Sequence, residues 1–175
     1  ATWGVRASAL TGDWLVPGYG TGGKLDQLYS YRKDYKTGKH LLLATSEVPH
    51  ALHGVNLYDP SKPVVYLTEG PWDGMVLWEM LRYAKRGNGG IVLTGSPDIS
   101  LAAEGNVLAV PGCNVFREEW LGLFTNKRVV VLYDSDHPKE VGDRVVSPPG
   151  YGGLQKVVGL LAAGEEPPME ISYLH

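Results

Sequence analysis

Two hydrophobic runs in this chain lack polar alternation. Val64-Val65-Tyr66-Leu67-Thr68 and Val129-Val130-Val131-Leu132-Tyr133 are continuous and β-branched, the pattern of strands buried on both faces of a parallel sheet. Trp72 to Arg86 follows helical spacing instead. Met75, Leu77, Trp78, Met80, Leu81 and Ala84 form its apolar face, and Gly87-Asn88-Gly89-Gly90 stops it. Ile91 to Thr94 and Val107 to Val110 are two short strand candidates; Gly95 to Gly105 between them reads as a short helix or a loop. Phe116 to Phe124 reads as a helix. After a Gly/Pro-rich loop, Gly152 to Ala163 reads as another helix and Met169 to Leu174 as a last strand. Strand and helix alternate from residue 64 onward, which predicts an α/β fold whose central sheet is mostly parallel and flanked by helices.

The first 60 residues have a different texture, β-rich and irregular. Leu25 to Tyr31 and His40 to Ala44 are strand candidates, joined by a hairpin-like turn, Asp34-Tyr35-Lys36-Thr37-Gly38-Lys39. The strongest punctuation is Asp59-Pro60-Ser61-Lys62-Pro63. It divides the chain into a small N-terminal β-rich basic subdomain, 1–62, and a larger α/β domain, 63–175. A length of 175 residues allows one substantial core with a small appended subdomain. The net charge of −3 argues against a whole-surface nucleic-acid binder and leaves room for a local basic groove. The single cysteine, Cys113, excludes an internal disulfide and a Cys-rich zinc module, so a reducing, cytoplasmic setting and no zinc are expected. No run of about 18 apolar residues predicts a membrane span, and no signal-peptide pattern is present. The chain starts at Ala1 without a Met and stops soon after a strand-like segment, and it reads as a piece of a longer protein.

Candidate chemistry gathers where the two apolar runs end. The first leads into Glu69-Gly70-Pro71-Trp72-Asp73 and the second into Asp134-Ser135-Asp136. Ligands of open α/β sheets sit beyond the carboxyl ends of the strands. If the two strands are neighbours, Glu69, Asp134 and Asp136 converge at one edge. Carboxylates so close repel unless a cation neutralises them, and hard oxygen ligands suit Mg²⁺ or Mn²⁺. The plainer alternative is a set of solvated strand-end and helix N-cap acids. Asp73 in particular could be a first-turn acid favoured by the helix dipole.

These two motifs resemble the Toprim domain, in which one strand ends in Glu-Gly, with an Asp four residues after the Glu in primases, and a later strand ends in Asp-x-Asp. The likeness spans residues 20 to 175 and is most specific over 64 to 174. Leu52-His53-Gly54-Val55-Asn56 also looks like the lead-in to Toprim in phage primases. Gly23-Lys24-Leu25, Tyr31-Arg32 and Thr37-Gly38-Lys39 look more weakly like their N-terminal basic subdomain. The resemblance implies the RNA-polymerase domain of a DNA primase from a phage or mobile-element primase or primase-helicase. Such an enzyme makes RNA primers from ribonucleoside triphosphates on a single-stranded DNA template, working with a replicative helicase in cis or in trans. It implies Glu69, Asp134 and Asp136 as catalytic residues, with Glu69 a metal ligand or general base. These three and Asp73 would hold the ions, two Mg²⁺ or Mn²⁺. Lys24, Arg32 and Lys39 would contact nucleotide or template, as would Arg144 in the loop after the second acidic motif, where His137 also stands. The sequence departs from the family in one place. Two strand candidates stand between the acidic strands where most relatives have one. Val107 to Gly112 fits the family's middle strand better, which makes residues 88 to 105 an insertion.

Lys24, Arg32, Lys33, Lys36 and Lys39 interleave with Tyr29, Tyr31 and Tyr35, as expected of a face that holds a single strand through phosphate contacts and base stacking. A solvated hairpin with surface lysines has the same composition. Gly18-Tyr19-Gly20-Thr21-Gly22-Gly23-Lys24-Leu25 begins like a phosphate-binding P-loop, but Leu25 stands where the Mg²⁺-binding hydroxyl belongs and no helix is predicted to follow. His50 and His53 lack further soft ligands and read as surface or half-buried histidines. Cys113 lacks an adjacent base and reads as a buried structural thiol. Two other functions share the acids: a Toprim nuclease, and a non-catalytic module that docks a helicase or nucleic acid.

Overall fold

The computed structural model describes residues 3–88, 90–93, 104–134, 139–141, 144–146 and 149–173. The central sheet has four strands: β5 (Val64–Thr68), β8 (Gly105–Ala109), β9 (Arg128–Leu132) and β12 (Glu170–Tyr173). Their spatial order is β12-β9-β5-β8 and every pairing is parallel. The runs at 64 and 129 are therefore the two middle strands. Val65 and Leu67 of β5 face one side with Leu108, Val129 and Val131, and that side is closed by Leu154, Val157 and Leu161 of helix α2 (Pro149–Ala163). Helix α1 (Pro71–Tyr83) covers the other side, packing through Met75, Leu77, Trp78 and Leu81 on Tyr66, Val107 and Ala109. Two covered faces explain why β5 and β9 show no polar alternation.

Close approach of α1 to the sheet depends on Gly74. A Cβ there would stand 2.8 Å from the Trp3 ring, 3.0 Å from Thr68 Oγ1 and 3.1 Å from Ala109 Cβ. The expected helix over 72–86 ends earlier, at Tyr83, because Ala84 turns extended and opens a hairpin. Its strands are β6 (Ala84–Gly87) and β7 (Gly90–Leu93), paired antiparallel outside the central sheet. Asn88-Gly89, between them in sequence, is a dipeptide favoured in two-residue hairpin turns. Ile91 to Leu93 is thus not a strand of the central sheet, Thr94 lies outside the described residues, and β8, at the edge of that sheet, is the strand that lies between β5 and β9 in sequence. The helix expected over 116–124 is a 3₁₀ segment, Glu118–Leu123. The Gly/Pro-rich loop contains a second small hairpin, β10 (Lys139–Val141) and β11 (Arg144–Val146).

The N-terminal part is an antiparallel sheet in the order β1-β2-β3-β4, comprising Arg6–Ala7, Trp14–Tyr19, Leu25–Lys33 and His40–Ala44. Residues 18–25, the stretch resembling a P-loop, are the end of β2, a turn and the start of β3, with no helix after them. Residues 51–55 link the two sheets. Tyr19 N–H donates to Leu52 O at 2.7 Å. His53 N–H donates to Ala109 O at 2.9 Å, and Ala109 N–H returns to His53 O at 3.1 Å. Leu52 and Val55 lie in the core beneath the parallel sheet.

His53, expected at or near the surface, is fully buried by this crossing. Its Nδ1 lies 2.8 Å from the Pro17 carbonyl. A carbonyl only accepts, so Nδ1 carries the proton. Nε2 is buried and has no partner among the described residues. Burial lowers the imidazole pKa from 6.5 to about 4, against a smaller raising effect of the Pro17 carbonyl. No helix among the described residues is long and apolar enough to cross a membrane.

Candidate active site

Strand order decides where a site can form. The chain leaves β5 through α1 to reach β8 on one side; it leaves β9 through α2 to reach β12 on the other. Connections that diverge from two adjacent parallel strands open a crevice beyond their carboxyl ends. Thr68 and Leu132 are the last paired residues of β5 and β9, so Glu69 and Tyr133 follow side by side, with Asp134 next. The Asp134 N–H donates to Glu69 Oε2 at 3.1 Å, which joins the two acidic motifs directly. Asp136 and His137 lie outside the described residues.

Asp73 stands in the first turn of α1, which starts with Pro71 after an extended Gly70. This position suits both the helix dipole and a helix that must begin sharply at a strand end. Partial burial raises its carboxyl pKa above the ordinary range, and the charge of Asp134 raises it further. The two acids therefore feel each other across the crevice. They line a groove of about 380 Å³ with the apolar Val76, Leu77 and Met80. A larger cleft of about 540 Å³, lined by Glu118, Glu165 and Glu166, lies between the 3₁₀ segment and the end of α2. It contains none of the strand-end acids, so we place the site by the chemistry and not by volume.

Three further groups close on the acids. Gly150, at the start of α2, approaches so nearly that a Cβ would lie 2.7 Å from Asp134 O and 2.9 Å from Glu69 Oε2. Cys113, just past β8 at the same edge of the sheet, is half-buried against the main core, and the charge of Glu69 acts on its thiol. The thiol expected to be buried is half-buried against the core, with the Glu69 carboxylate near enough for its charge to act on it. Its place directly after Val110-Pro111-Gly112, beyond the end of β8, is the available signal for that neighbour. Burial holds this thiol above its usual pKa, and Glu69 adds to the shift. Tyr133 is buried, and burial and then Glu69 and Cys113 push its phenol far above the usual value.

The N-terminal sheet reaches the site through aromatic rings. Trp72, inside the first acidic motif, meets Tyr31 of β3 edge-on at 4.9 Å between centroids, and Tyr31 stacks on His40 at 5.2 Å. The Trp72 indole N–H is buried with no partner among the described residues. Successive strand residues face opposite ways, so Arg32, paired with Leu41, lies on the other face of the sheet from Tyr31. The interleaved tyrosines and cations of β3 are divided between two faces. Tyr29 is buried against His53. Lys24 is exposed after a turn in which Gly20 N–H donates to Lys24 O at 3.0 Å. Lys39 is exposed at the end of the expected hairpin, whose turn is held by Asp34 accepting from Lys36 N–H at 2.9 Å and Thr37 Oγ1 at 2.8 Å. Arg144 opens β11.

Glu69, Asp73 and Asp134 offer hard oxygens of the kind Mg²⁺ takes. That ion commonly uses only one or two protein carboxylates and completes its shell with water and phosphate. Among the described residues no group of three His, Cys, Asp or Glu stands close enough to hold an ion by itself. Glu69 and Asp134, whose strand ends are joined by the Asp134 N–H, fit the smaller requirement in number.

No family model and no curated protein matches the chain. Among solved structures, it is similar to the primase fragment of the bacteriophage T7 primase-helicase protein. The TM-score is 0.57 at 12% identity, covering 98% of this chain and 56% of that one. It is similar also to a chain in the structure of bacteriophage T7 lagging-strand DNA polymerase interacting with primase domains of two gp4 subunits bound to an RNA/DNA hybrid and dTTP. There the TM-score is 0.54 at 12% identity, covering 95% of this chain and 71% of that one. The chain therefore spans little more than half of the T7 primase fragment, and its parallel four-stranded sheet between helices, preceded by an antiparallel sheet, has that fragment's fold.

Proposed function

We propose that this chain is the catalytic part of a DNA primase with a Toprim-type site, a metal-dependent nucleotidyltransferase that makes RNA primers on single-stranded DNA. The observation that carries this reading is the join between Glu69 and the Asp134 backbone at the ends of adjacent parallel strands. Neither acid needs that place for packing. Both project past the sheet, where two negative charges are costly without a cation. The fold likeness to a primase fragment supports the same reading.

In this reading Asp134 and Glu69, with Asp136 and Asp73, would hold Mg²⁺ or Mn²⁺. Such an ion would supply charge neutralisation at a pyrophosphate leaving group and would acidify an attacking 3′-hydroxyl. Glu69 is the proposed acceptor of that proton. Its carboxylate is steadied by the Asp134 N–H. The strand ends, fixed by a sheet buried on both faces, keep the acids in one geometry while the substrate comes and goes. Lys24, Arg32, Lys39 and Arg144 are the proposed contacts to nucleotide or template. Since Arg32 and Tyr31 face opposite ways, the template would meet one of them and not both. A replicative helicase, in cis or in trans, is the proposed partner.

The test is incorporation of labelled ribonucleotides on single-stranded DNA with Mg²⁺ or Mn²⁺, comparing the chain with Asp134→Ala. New oligonucleotides that disappear in the variant are expected. Template degradation that disappears in the variant would replace the primase by a nuclease. Neither reaction, together with no Mn²⁺ binding, would leave a docking module.

A further inference from the structure

Helix α1 lies over β5 and β8, packing on Tyr66, Val107 and Ala109. It does not seal the same face of β9. There Val130 and Leu132 stand in register with Tyr66 and Thr68, and both are half-buried, whereas Val129 and Val131 on the opposite face are buried. The helix lines this gap with two large apolar side chains, Val76 at 60% exposure and Met80 at 57%. With Leu77 and Leu132 they wall the groove of about 380 Å³ that Asp73 and Asp134 also line. Single exposed apolar side chains are ordinary. These are not scattered: Asp73, Val76, Leu77 and Met80 fall at i, i+3, i+4 and i+7, one face of the helix. The groove therefore starts at carboxylates and continues as an apolar trough. At about 1.5 Å per residue, Met80 lies about 10 Å along α1 from Asp73.

We infer that this groove holds the base of the nucleotide substrate, with Val76 and Met80 as its wall. The inference rests on the acids being a cation and phosphate site, as proposed above. A nucleotide is charged at one end and has flat, apolar ring faces at the other. From its inner phosphate to the far edge of a purine it spans about the same 10 Å that separates Asp73 from Met80 along the helix. The groove's volume is within the range of small-molecule sites, which are mostly apolar with a few polar groups at one place. The apolar wall starts within one helical turn of Asp73, and this continuity with the acids favours a nucleotide over a protein segment. A methionine thioether also makes favourable contacts with aromatic rings. Apart from the two acids, the polar side chain of the lining is Thr68, whose hydroxyl already donates to Gly70 O at 3.0 Å. The base is thus gripped by its faces and its edge is left unread. Such a groove accepts any of the four bases and leaves the choice among them to pairing with the template.

Calorimetric titration with Mn²⁺ and no template tests this by comparing ATP with inorganic triphosphate, which has the phosphates and no base. The native chain is expected to bind ATP about 10-fold more tightly, the low end for apolar contacts in a pocket. UTP, with a smaller ring, should show a smaller preference of the same kind. Val76→Ser combined with Met80→Ser should bring ATP to the affinity of triphosphate and leave triphosphate itself unchanged. Met80→Leu, which keeps the wall apolar, should retain the preference. Both side chains are more than half exposed, so the melting temperature of the double variant should stay near that of the native chain. Equal affinities for ATP and triphosphate in the native chain overturn the inference and leave the acidic site standing. A preference for ATP that survives the double variant also overturns it, and is the result expected if another protein or a second copy covers the groove. A preference lost in the double variant, in a native chain that makes no primers, upholds the groove and brings down the primase reading alone. Binding of neither ligand brings down both.

Discussion

The two sheets of this molecule solve opposite problems. The parallel sheet is covered on both faces, so its strands carry almost nothing but packing, and every polar side chain of interest has moved past the strand ends: Glu69, Cys113 and Asp134. The antiparallel sheet is covered on one face only. Its polar side chains lie along the strands, where alternation sorts them, Tyr29 and Tyr31 to the inside and Arg32 to the outside. In the first sheet chemistry and stability are separated along the strand. In the second they are separated across it. The same kind of substitution should therefore mean different things in the two.

Truncation within the strands should show the largest contrast. Leu67 of β5 is completely buried and Leu43 of β4 is 37% exposed. Leu67→Ala is expected to cost about 4 kcal/mol in denaturant unfolding, from lost burial and the cavity left behind. Leu43→Ala should cost about 1 kcal/mol or less. Equal costs would mean that the outer face of the antiparallel sheet is covered in solution.

The join between the sheets comes next. His53 is neutral in the folded chain, with its pKa lowered to about 4 from 6.5. As pH falls below 6.5 the unfolded chain takes up a proton that the folded chain refuses, so stability present at neutral pH is lost progressively down to about pH 4. The full loss is about 3 kcal/mol. Asn in place of His53 keeps a donor for the Pro17 carbonyl without a titrating ring. The difference in unfolding free energy between the native chain and His53→Asn should shrink as pH drops from 7 to 5. A constant difference would show that His53 titrates normally.

That residue also marks what sequence could reveal. The two middle strands and their acids were legible because doubly buried strands leave a long β-branched signature, and carboxylates directly after such runs have few structural uses. Helices α1 and α2 were legible from their spacing. Less of the N-terminal sheet was. Strand β2, Trp-Leu-Val-Pro-Gly-Tyr, carries a proline and a glycine that normally argue against a strand, and its end imitates a phosphate-binding loop. Burial of His53 depends on a crossing between sheets that no local pattern encodes. The choice between Ile91–Thr94 and Val107–Val110 turned on pairing: both are short apolar runs, and only the structure separates a hairpin from a central strand. The Asp134–Glu69 hydrogen bond joins residues far apart in sequence, and only the strand order brings them together.

Gly150 tests the separation of chemistry from stability at the strand ends. An added methyl would press on both Asp134 O and Glu69 Oε2, and backbone at the start of α2 has to shift to admit it. Gly150→Ala is expected to reduce primer synthesis about 100-fold, the scale of a 1 Å misplacement of reacting groups. The melting temperature should move far less than in Leu67→Ala. A variant as active as the native chain would show that the acids tolerate displacement and that their geometry is not what the sheet is built to hold.

The smallest effect concerns the one place where the sheets meet at the site. Tyr31 and Trp72 are edge to face, and His40 extends the contact to the rim of β4. Such ring pairs contribute about 1 kcal/mol beyond simple burial. In a double-mutant cycle of Tyr31→Leu and Trp72→Leu, a coupling near 1 kcal/mol in stability is expected. The informative quantity is the second coupling, measured in primer synthesis. Trp72 stands three residues from Glu69 and immediately before Asp73, so a template or nucleotide resting on the N-terminal sheet would be felt at the acids through this contact. If the pair couples in activity more strongly than in stability, the antiparallel sheet positions substrate for the parallel one. If it couples in stability alone, the rings only fasten two independent layers, and the substrate reaches the acids from the open side of the groove beside Val76 and Met80.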